Sequence, residues 1–372
     1  MAIERIGIGA ALIVGCVVAG GAHGQSGDSA MAQRLDSIRH LHNVPALGAA
    51  FIRGDGSITS AVVGVRKRGT DVRATAEDQW LLGSNTKAIT ATLVATFVEQ
   101  GALTWETTLA DVVPELRAKF RGNFGAITLT HLLSHHAGLD RDLNFDDIRR
   151  SAPALADQRV NAVRTAGSKK LRSVPGSKFE YSNLGYVIAG AAAERLGGKS
   201  WEALIRERVF TPLGMSGCGF GGPGTPGRID QPWPHNPNGN PGGPGSWLDS
   251  EDVVAPAGRV RCSLADWAKF VLDQLRGANG KGALLRPETY KALHEPRFGG
   301  NYAFGWGVGS APWADGVVLN HTGSNGMNFS VAWIAPARDV AMLAVTNRSG
   351  DAGAKAMSDA TTALLRLYGL GK

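Results

Sequence analysis

The sequence predicts an α/β (α+β) fold, a sheet layer assembled from both ends of the chain with an all-helical domain inserted between its halves. Three observations predict it. Near the start, the apolar runs Leu47 to Arg53 and Ile58 to Val65 are joined by Gly54-Asp55-Gly56-Ser57, a hairpin signature. Strand patterns return only near the end, at Tyr302 to Val308, Val317 to Asn320, Ser330 to Ala335 and Val340 to Thr346. Between these two regions the apolar periodicity is helical. With 372 residues and 43% hydrophobic content, the chain can fill one large domain or two intertwined ones. The expected division is 25–87 and 299–372 for the sheet and 88–298 for the helical insertion, preceded by a leader over 1–24.

The leader carries Glu4 and Arg5, then an uncharged run from Ile6 to Ala22, then Ala22-His23-Gly24 as a small-x-small cleavage site before Gln25. This reads as a secretory signal peptide, and the run is too short and glycine-rich for a membrane anchor. Ile13-Val14-Gly15-Cys16 resembles a lipid-attachment box, but the apolar run continues past Cys16. The expected location is therefore periplasmic or secreted. Of three cysteines, Cys218 and Cys262 survive signal removal, and an oxidising exterior permits a disulfide between them. Sequence leaves the pairing open, because it does not fix their Cα separation.

Past the leader, Ser29 to Leu41 has helical periodicity and ends at Val44-Pro45. After the hairpin come helical patterns at Ile89 to Glu99, Thr107 to Val112, Thr130 to Ser134, Tyr186 to Leu196, Trp201 to Val209 and Leu264 to Leu275. Phe220 to Gly245 is crowded with glycine and proline and reads as a long loop or cover. Ala356 to Tyr368 closes the chain as an amphipathic helix.

The net charge is +7, from 39 basic and 32 acidic residues. The basic residues are scattered and no aromatic-interleaved basic motif occurs, so no nucleic-acid partner is expected. Arg164, Lys169, Lys170, Arg172 and Lys178 follow one another without an acidic residue between them, and read as a solvated face rather than a device for steering anions. His131, His135 and His136 lack the acidic partner of an HExxH site, so neither metal nor cofactor is expected. Gly214-Met215-Ser216-Gly217-Cys218 approaches a Gly-x-Ser-x-Gly elbow but lacks the final glycine.

Three short motifs carry chemistry. Gly83-Ser84-Asn85-Thr86-Lys87 opens a long helical segment, where residues three apart share a face and place Lys87 beside the Ser84 hydroxyl. A serine needs such a proton acceptor to become a nucleophile, and a helix start offers N–H groups for developing negative charge. Alone the spacing is common. Tyr181-Ser182-Asn183 precedes a helix, and alone would be a core tyrosine beside a helix cap. His321-Thr322-Gly323 ends a strand, where the glycine lets backbone approach a ligand closely.

In this order, Ser-x-x-Lys, Tyr-x-Asn and His-Thr-Gly resemble the serine β-lactamase and D-alanyl-D-alanine peptidase superfamily. The branch it is most similar to holds class C β-lactamases, serine DD-carboxypeptidases, D-aminopeptidases and lactamase-like esterases. Tyr181 follows Ser84 by 97 residues (181 − 84) and His321 follows Tyr181 by 140 (321 − 181), gaps that suit the branch. His131-Leu132-Leu133-Ser134-His135, Pro212-Leu213-Gly214-Met215, Phe304-Gly305-Trp306-Gly307 and Trp333-Ile334-Ala335-Pro336 look like it too. The resemblance covers roughly Asp36 to Tyr368.

The resemblance implies a β-lactamase/transpeptidase-like fold, with an antiparallel sheet flanked by N- and C-terminal helices and the inserted all-helical domain. It implies Ser84 as nucleophile, with Lys87 and Tyr181 handling its proton and the N–H groups of Ser84 and Ser324 forming an oxyanion hole. Which of Lys87 and Tyr181 is the base stays open, since they would titrate as a coupled pair. Asn183, His321, Thr322 and Gly323 would bind substrate, with Asn183 reaching Lys87 or a substrate amide. A monomer acting on a small molecule or peptide, cell-wall peptide included, is expected. The implied activity is hydrolysis of an ester or amide through an acyl-enzyme; a catalytically silent penicillin- or cell-wall-binding relative is the alternative, against which Ser84, Lys87 and Tyr181 all stand intact.

His321 departs from the lysine usual in such β-lactamases. A histidine with its ordinary pKa near ~6.5 offers a hydrogen bond instead of a permanent cation. The expectation is weak β-lactamase activity, better turnover of esters or D-amino-acid peptides, and a KM for carboxylate substrates that rises as pH climbs through the histidine pKa.

Overall fold

The computed structural model describes residues 25–243 and 253–371. The signal-peptide reading of 1–24, Cys16 included, lies outside the described residues. The first half of the chain runs α1 (Gln25–Leu41), β1 (Ala46–Arg53), β2 (Ile58–Gly64), β3 (Trp80–Leu81), α2 (Thr86–Glu99), α3 (Leu109–Val112), α4 (Leu129–Leu133), α5 (Phe145–Arg150) and α6 (Leu155–Gly167). There follow α7 (Asn183–Gly197), α8 (Trp201–Ile205), β4 (Gly219–Phe220), α9 (Ala255–Gly258), β5 (Val260–Cys262), α10 (Leu264–Ala278) and α11 (Pro287–His294). The chain closes with β6 (Gly307–Ala311), β7 (Gly316–Ser324), β8 (Phe329–Ala335), β9 (Val340–Thr346) and α12 (Gly350–Leu367).

The main sheet is antiparallel in the order β2-β1-β9-β8-β7-β6. Its two ends of sequence meet where β1 pairs β9, from Leu47 opposite Thr346 to Arg53 opposite Val340. Both faces of these central strands are covered, which explains their nearly continuous apolar runs. Leu47, Ala49 and Phe51 alternate to one face and join Met31, Leu35, Met357 and Leu364 of α1 and α12. Ala46, Ala50 and Ile52 point to the other and join the larger core with Leu264, Ala268, Val271 and Leu275 of α10. Helix α10 therefore belongs to the sheet layer, although the expected insertion 88–298 contained it. Its strongly one-sided apolar stripe fits a helix lying flat on a sheet.

Two further expectations change. The strand expected over Tyr302 to Val308 begins only at Gly307, because Tyr302 to Trp306 forms a turn closed by Ala303 N–H donating to Trp306 O at 2.8 Å. Gly305 makes that turn possible: its φ is +84°, and a Cβ there would lie 2.5 Å from the Ala88 backbone. The small sheet β3-β5-β4 escaped sequence reading, since its strands have only two or three residues. Cys218 and Cys262 are bonded across it, with Cα atoms 4.1 Å apart. Within 220–243, apart from Phe220 in β4, the glycine- and proline-rich tract is a cover, as expected. It is tied down by Trp233 N–H to Arg66 O (2.8 Å) and by the buried His235, whose N–H reaches Asn347 O (2.8 Å).

Candidate active site

The nucleophile candidate lies where the two layers meet. β3 leads into a tight turn, Gly83–Asn85, that feeds α2. Gly83 has φ +51°, and a Cβ on it would stand 2.6 Å from the Ser324 amide nitrogen. A Cβ on Gly323 would stand 1.9 Å from the Leu82 carbonyl oxygen. Glycine at both places lets turn and strand touch backbone to backbone. Asn85 sutures the contact. In the amide orientation that satisfies both its atoms, it donates to His321 O (3.2 Å) and accepts from Gly323 N–H (3.3 Å) and Ser330 Oγ (2.8 Å). The close approach that Gly323 permits is made here to the chain's own turn.

Around Ser84 the polar groups converge. Lys87 Nζ lies 3.0 Å from Ser84 Oγ, 2.8 Å from Asn183 Oδ1 and 2.8 Å from Ala257 O. Tyr181 OH lies 2.8 Å from the same Ser84 Oγ. Asn183 Nδ2 donates to Asp142 Oδ1 at 3.0 Å, so the amide bridges Lys87 and Asp142. The helix start of α7 brings Tyr181 and Asn183 here: Ser182 caps it by accepting Gly185 N–H, and its hydroxyl donates to Asp140 O at 2.7 Å.

Burial sets the protonation. Lys87 is wholly enclosed, and desolvation holds its pKa well below the ordinary lysine value, with Asp142 opposing and Arg141 reinforcing the shift. Desolvation likewise raises Tyr181, against the smaller effects of its Ser84 hydrogen bond and Arg141. Burial thus favours the neutral form of both side chains. A neutral amine has two hydrogens, and Asn183 Oδ1 and Ala257 O, both obligate acceptors, take them. The lone pair then faces Ser84 Oγ.

The opposite wall is β7. β6 pairs it only from Gly316 to Asn320, so residues 321–324 extend past β6 as an open strand edge. Thr322 and Ser324 are exposed there, while His321 and Gly323 are buried. His321 Nε2 lies 2.9 Å from Tyr302 OH and Nδ1 lies 3.0 Å from Thr322 O. The carbonyl can only accept, so Nδ1 carries the proton and Nε2 accepts from the tyrosine. Burial first, then Lys87, pushes its pKa down to about 3. The expectation that His321 titrates near neutrality and donates to substrate is overturned, because both ring nitrogens are already partnered.

These walls enclose a cleft of about 580 Å³ lined by Ser84, Tyr181, Tyr302, His321, Thr322 and Ser324, together with Arg141. Sequence reading missed Arg141, Asp142 and Asn85. Asp142 and Arg141 sit in a loop with no motif, joined to the site only because Asn183 N–H and Leu184 N–H donate to Arg141 O (2.9 and 3.1 Å). The three histidines fill structural places. His131 Nδ1 caps its own helix by accepting Thr128 N–H, and His136 Nδ1 lies 2.9 Å from Ser134 O. His135 follows the end of α4 with φ +62° and packs on Tyr181, ring centroids 4.2 Å apart, which breaks the helical i,i+4 relation to His131. The basic residues before the site are paired as a solvated face, with Arg172 3.3 Å from Glu180 and Lys178 3.8 Å from it.

The Beta-lactamase family model matches residues 31–366. This chain belongs to the Beta-lactamase family. Within it, Penicillin-binding protein 4 from Amycolatopsis lactamdurans is 31% identical over 341 residues, 85% of this chain and 84% of that one. The fold is shared with the class C beta lactamase from Rhodobacter sphaeroides (TM-score 0.70, 21% identity, 91% of this chain and 99% of that one). It is shared equally with D-alanine carboxypeptidase AmpC from Burkholderia cenocepacia (TM-score 0.70, 19% identity, 90% and 98%). The family assignment agrees with the serine β-lactamase and DD-peptidase resemblance read from the three motifs.

Proposed function

We propose that this Beta-lactamase family member is an exported serine hydrolase that forms an acyl-enzyme on Ser84 and hydrolyses an ester or amide. The observation that carries the reading is the convergence on Ser84 Oγ of the buried Lys87 amine, at 3.0 Å, and the Tyr181 hydroxyl, at 2.8 Å. Ser84 gives its proton to Lys87 as Oγ bonds to the acyl carbon. The oxyanion forms at the junction of turn and strand, where the N–H groups of Ser84 and Ser324 would receive it. Tyr181 hands its phenolic proton to the departing oxygen or nitrogen, and Lys87 restores it. Water then repeats the sequence on the acyl-enzyme and releases the acid.

Among substrates, a short-chain ester or D-amino-acid peptide fits better than a β-lactam, which would be turned over weakly. The strand wall supports the choice of a neutral ester or amide, since His321 presents neither charge nor a free N–H to a substrate carboxylate, whether a penicillin's or a peptide's. Export is supported by the composition of residues 1–24 and by the Cys218–Cys262 bond, which persists in oxidising compartments. A mature N-terminus at or within a few residues of Gln25 is the expected result of N-terminal sequencing.

The test is turnover of a panel holding nitrocefin, a p-nitrophenyl short-chain ester, a D-alanyl-D-alanine peptide and a D-amino-acid amide, with mass spectrometry after a slow acylating agent. One adduct mass on the peptide containing Ser84 is expected. An adduct on Ser182 or Ser324, or acylation without turnover of any substrate, overturns the reading.

A further inference from the structure

Among the described residues that line the cleft, Arg141 alone carries a charge, since His321 is neutral and Lys87 is sealed beneath the surface. Its side chain is 72% exposed, and its guanidinium carbon stands 5.6 Å from the Tyr181 ring centroid. The arginine is held from both ends. Its carbonyl accepts the first two N–H groups of α7, and its Nε lies 3.4 Å from Asp142 Oδ2. Asp142 is itself held by Asn183, whose Nδ2 donates to its other oxygen, Oδ1, at 3.0 Å.

We infer that Arg141 is a specificity-determining residue that receives a carboxylate on the leaving group of the substrate. The side of the substrate follows from Tyr181. Its hydroxyl meets Ser84 Oγ and delivers the proton to the departing atom, so a cation stacked over its ring borders the space the leaving group occupies. A planar guanidinium suits a carboxylate there, whereas β7 across the cleft offers only neutral groups. Exposure and the neighbouring Asp142 keep the preference modest. The inference rests on the proposed hydrolase reading, and it assigns substrate charge to the helical wall rather than to the strand motif.

The test compares 4-acetoxybenzoate with methyl 4-acetoxybenzoate. Both give the same acetyl-enzyme, so any difference arises in acylation. Replacing Arg141 with Gln should lower kcat/KM for the charged ester by roughly three- to tenfold, chiefly through KM, and leave the methyl ester within about twofold. Arg141→Lys should restore part of the loss, and added salt should erase the preference of the unmodified protein. Equal losses on both esters would make Arg141 a support for Tyr181 and overturn the inference; so would no loss on either. Calorimetric titration of both esters into Ser84→Ala, with and without Arg141→Gln, separates this from the hydrolase reading. Arg141-dependent binding of the anion in a protein that turns over neither ester would keep the carboxylate site and discard the hydrolase, whereas equal binding of the two would discard the site.

Discussion

The two walls of the cleft are built from the same kind of buried polar residue and put them to opposite uses. On the helical wall, Lys87 is enclosed and its partners are the nucleophile and two fixed acceptors, so burial depresses the pKa of a group that touches the reacting hydroxyl. On the strand wall, His321 is also buried, but its partners are Tyr302 and a carbonyl, so burial only silences it. A perturbed pKa marks a chemical tool only where a reacting group occupies the free valence.

The sharpest way to break this contrast is to remove Lys87. Lys87→Ala should lower kcat/KM on an ester by about a thousandfold or more, Tyr181→Phe by roughly a hundred- to ten-thousandfold, and the double variant by little more than the worse single one. Additive losses would mean that the two do not act as a unit.

The strand wall is probed by restoring a charge. His321→Lys should improve nitrocefin hydrolysis by roughly ten- to a hundredfold, the equivalent of about 1 to 3 kcal/mol in holding a carboxylate, while neutral esters gain nothing. A variant no better than the parent would place β-lactam discrimination elsewhere in the cleft.

Gly323 tests whether that wall is structural. A Cβ pressed to 1.9 Å from Leu82 O must move backbone, so Gly323→Ala should destabilise the fold by about 1 to 3 kcal/mol, seen as a lower Tm. Unchanged stability with a raised KM would return Gly323 to a ligand-facing role.

The smallest effect expected is an absence of titration. With His321 at about 3, KM for a carboxylate-bearing ester should stay level from roughly pH 5 to 9. The helical wall should behave differently. Burial lowers Lys87, so the neutral, proton-accepting form is lost as pH falls through that depressed value, and kcat/KM should rise with pH and then plateau. Tyr181, raised by burial, stays protonated across the plateau. A rate that keeps climbing into the alkaline range would instead make the phenolate the base.

Much of this was legible in the chain itself. The hairpin of β1 and β2, the run Val340 to Thr346 and the closing helix follow from local periodicity, because each strand or helix buries a face defined by its own residues. Ser84, Lys87, Tyr181 and Asn183 were named by the resemblance that the three motifs carry, and the structure brings these side chains together. Tertiary structure decided what depends on neighbours far apart in sequence. It assigned α10 to the sheet, since an amphipathic helix does not say which surface covers it. It joined Cys218 to Cys262, whose Cα separation no spacing fixes. It brought Arg141 to the cleft and closed both nitrogens of His321, because a side chain's pKa and free valences are set by the groups packed around it rather than by its place in a motif.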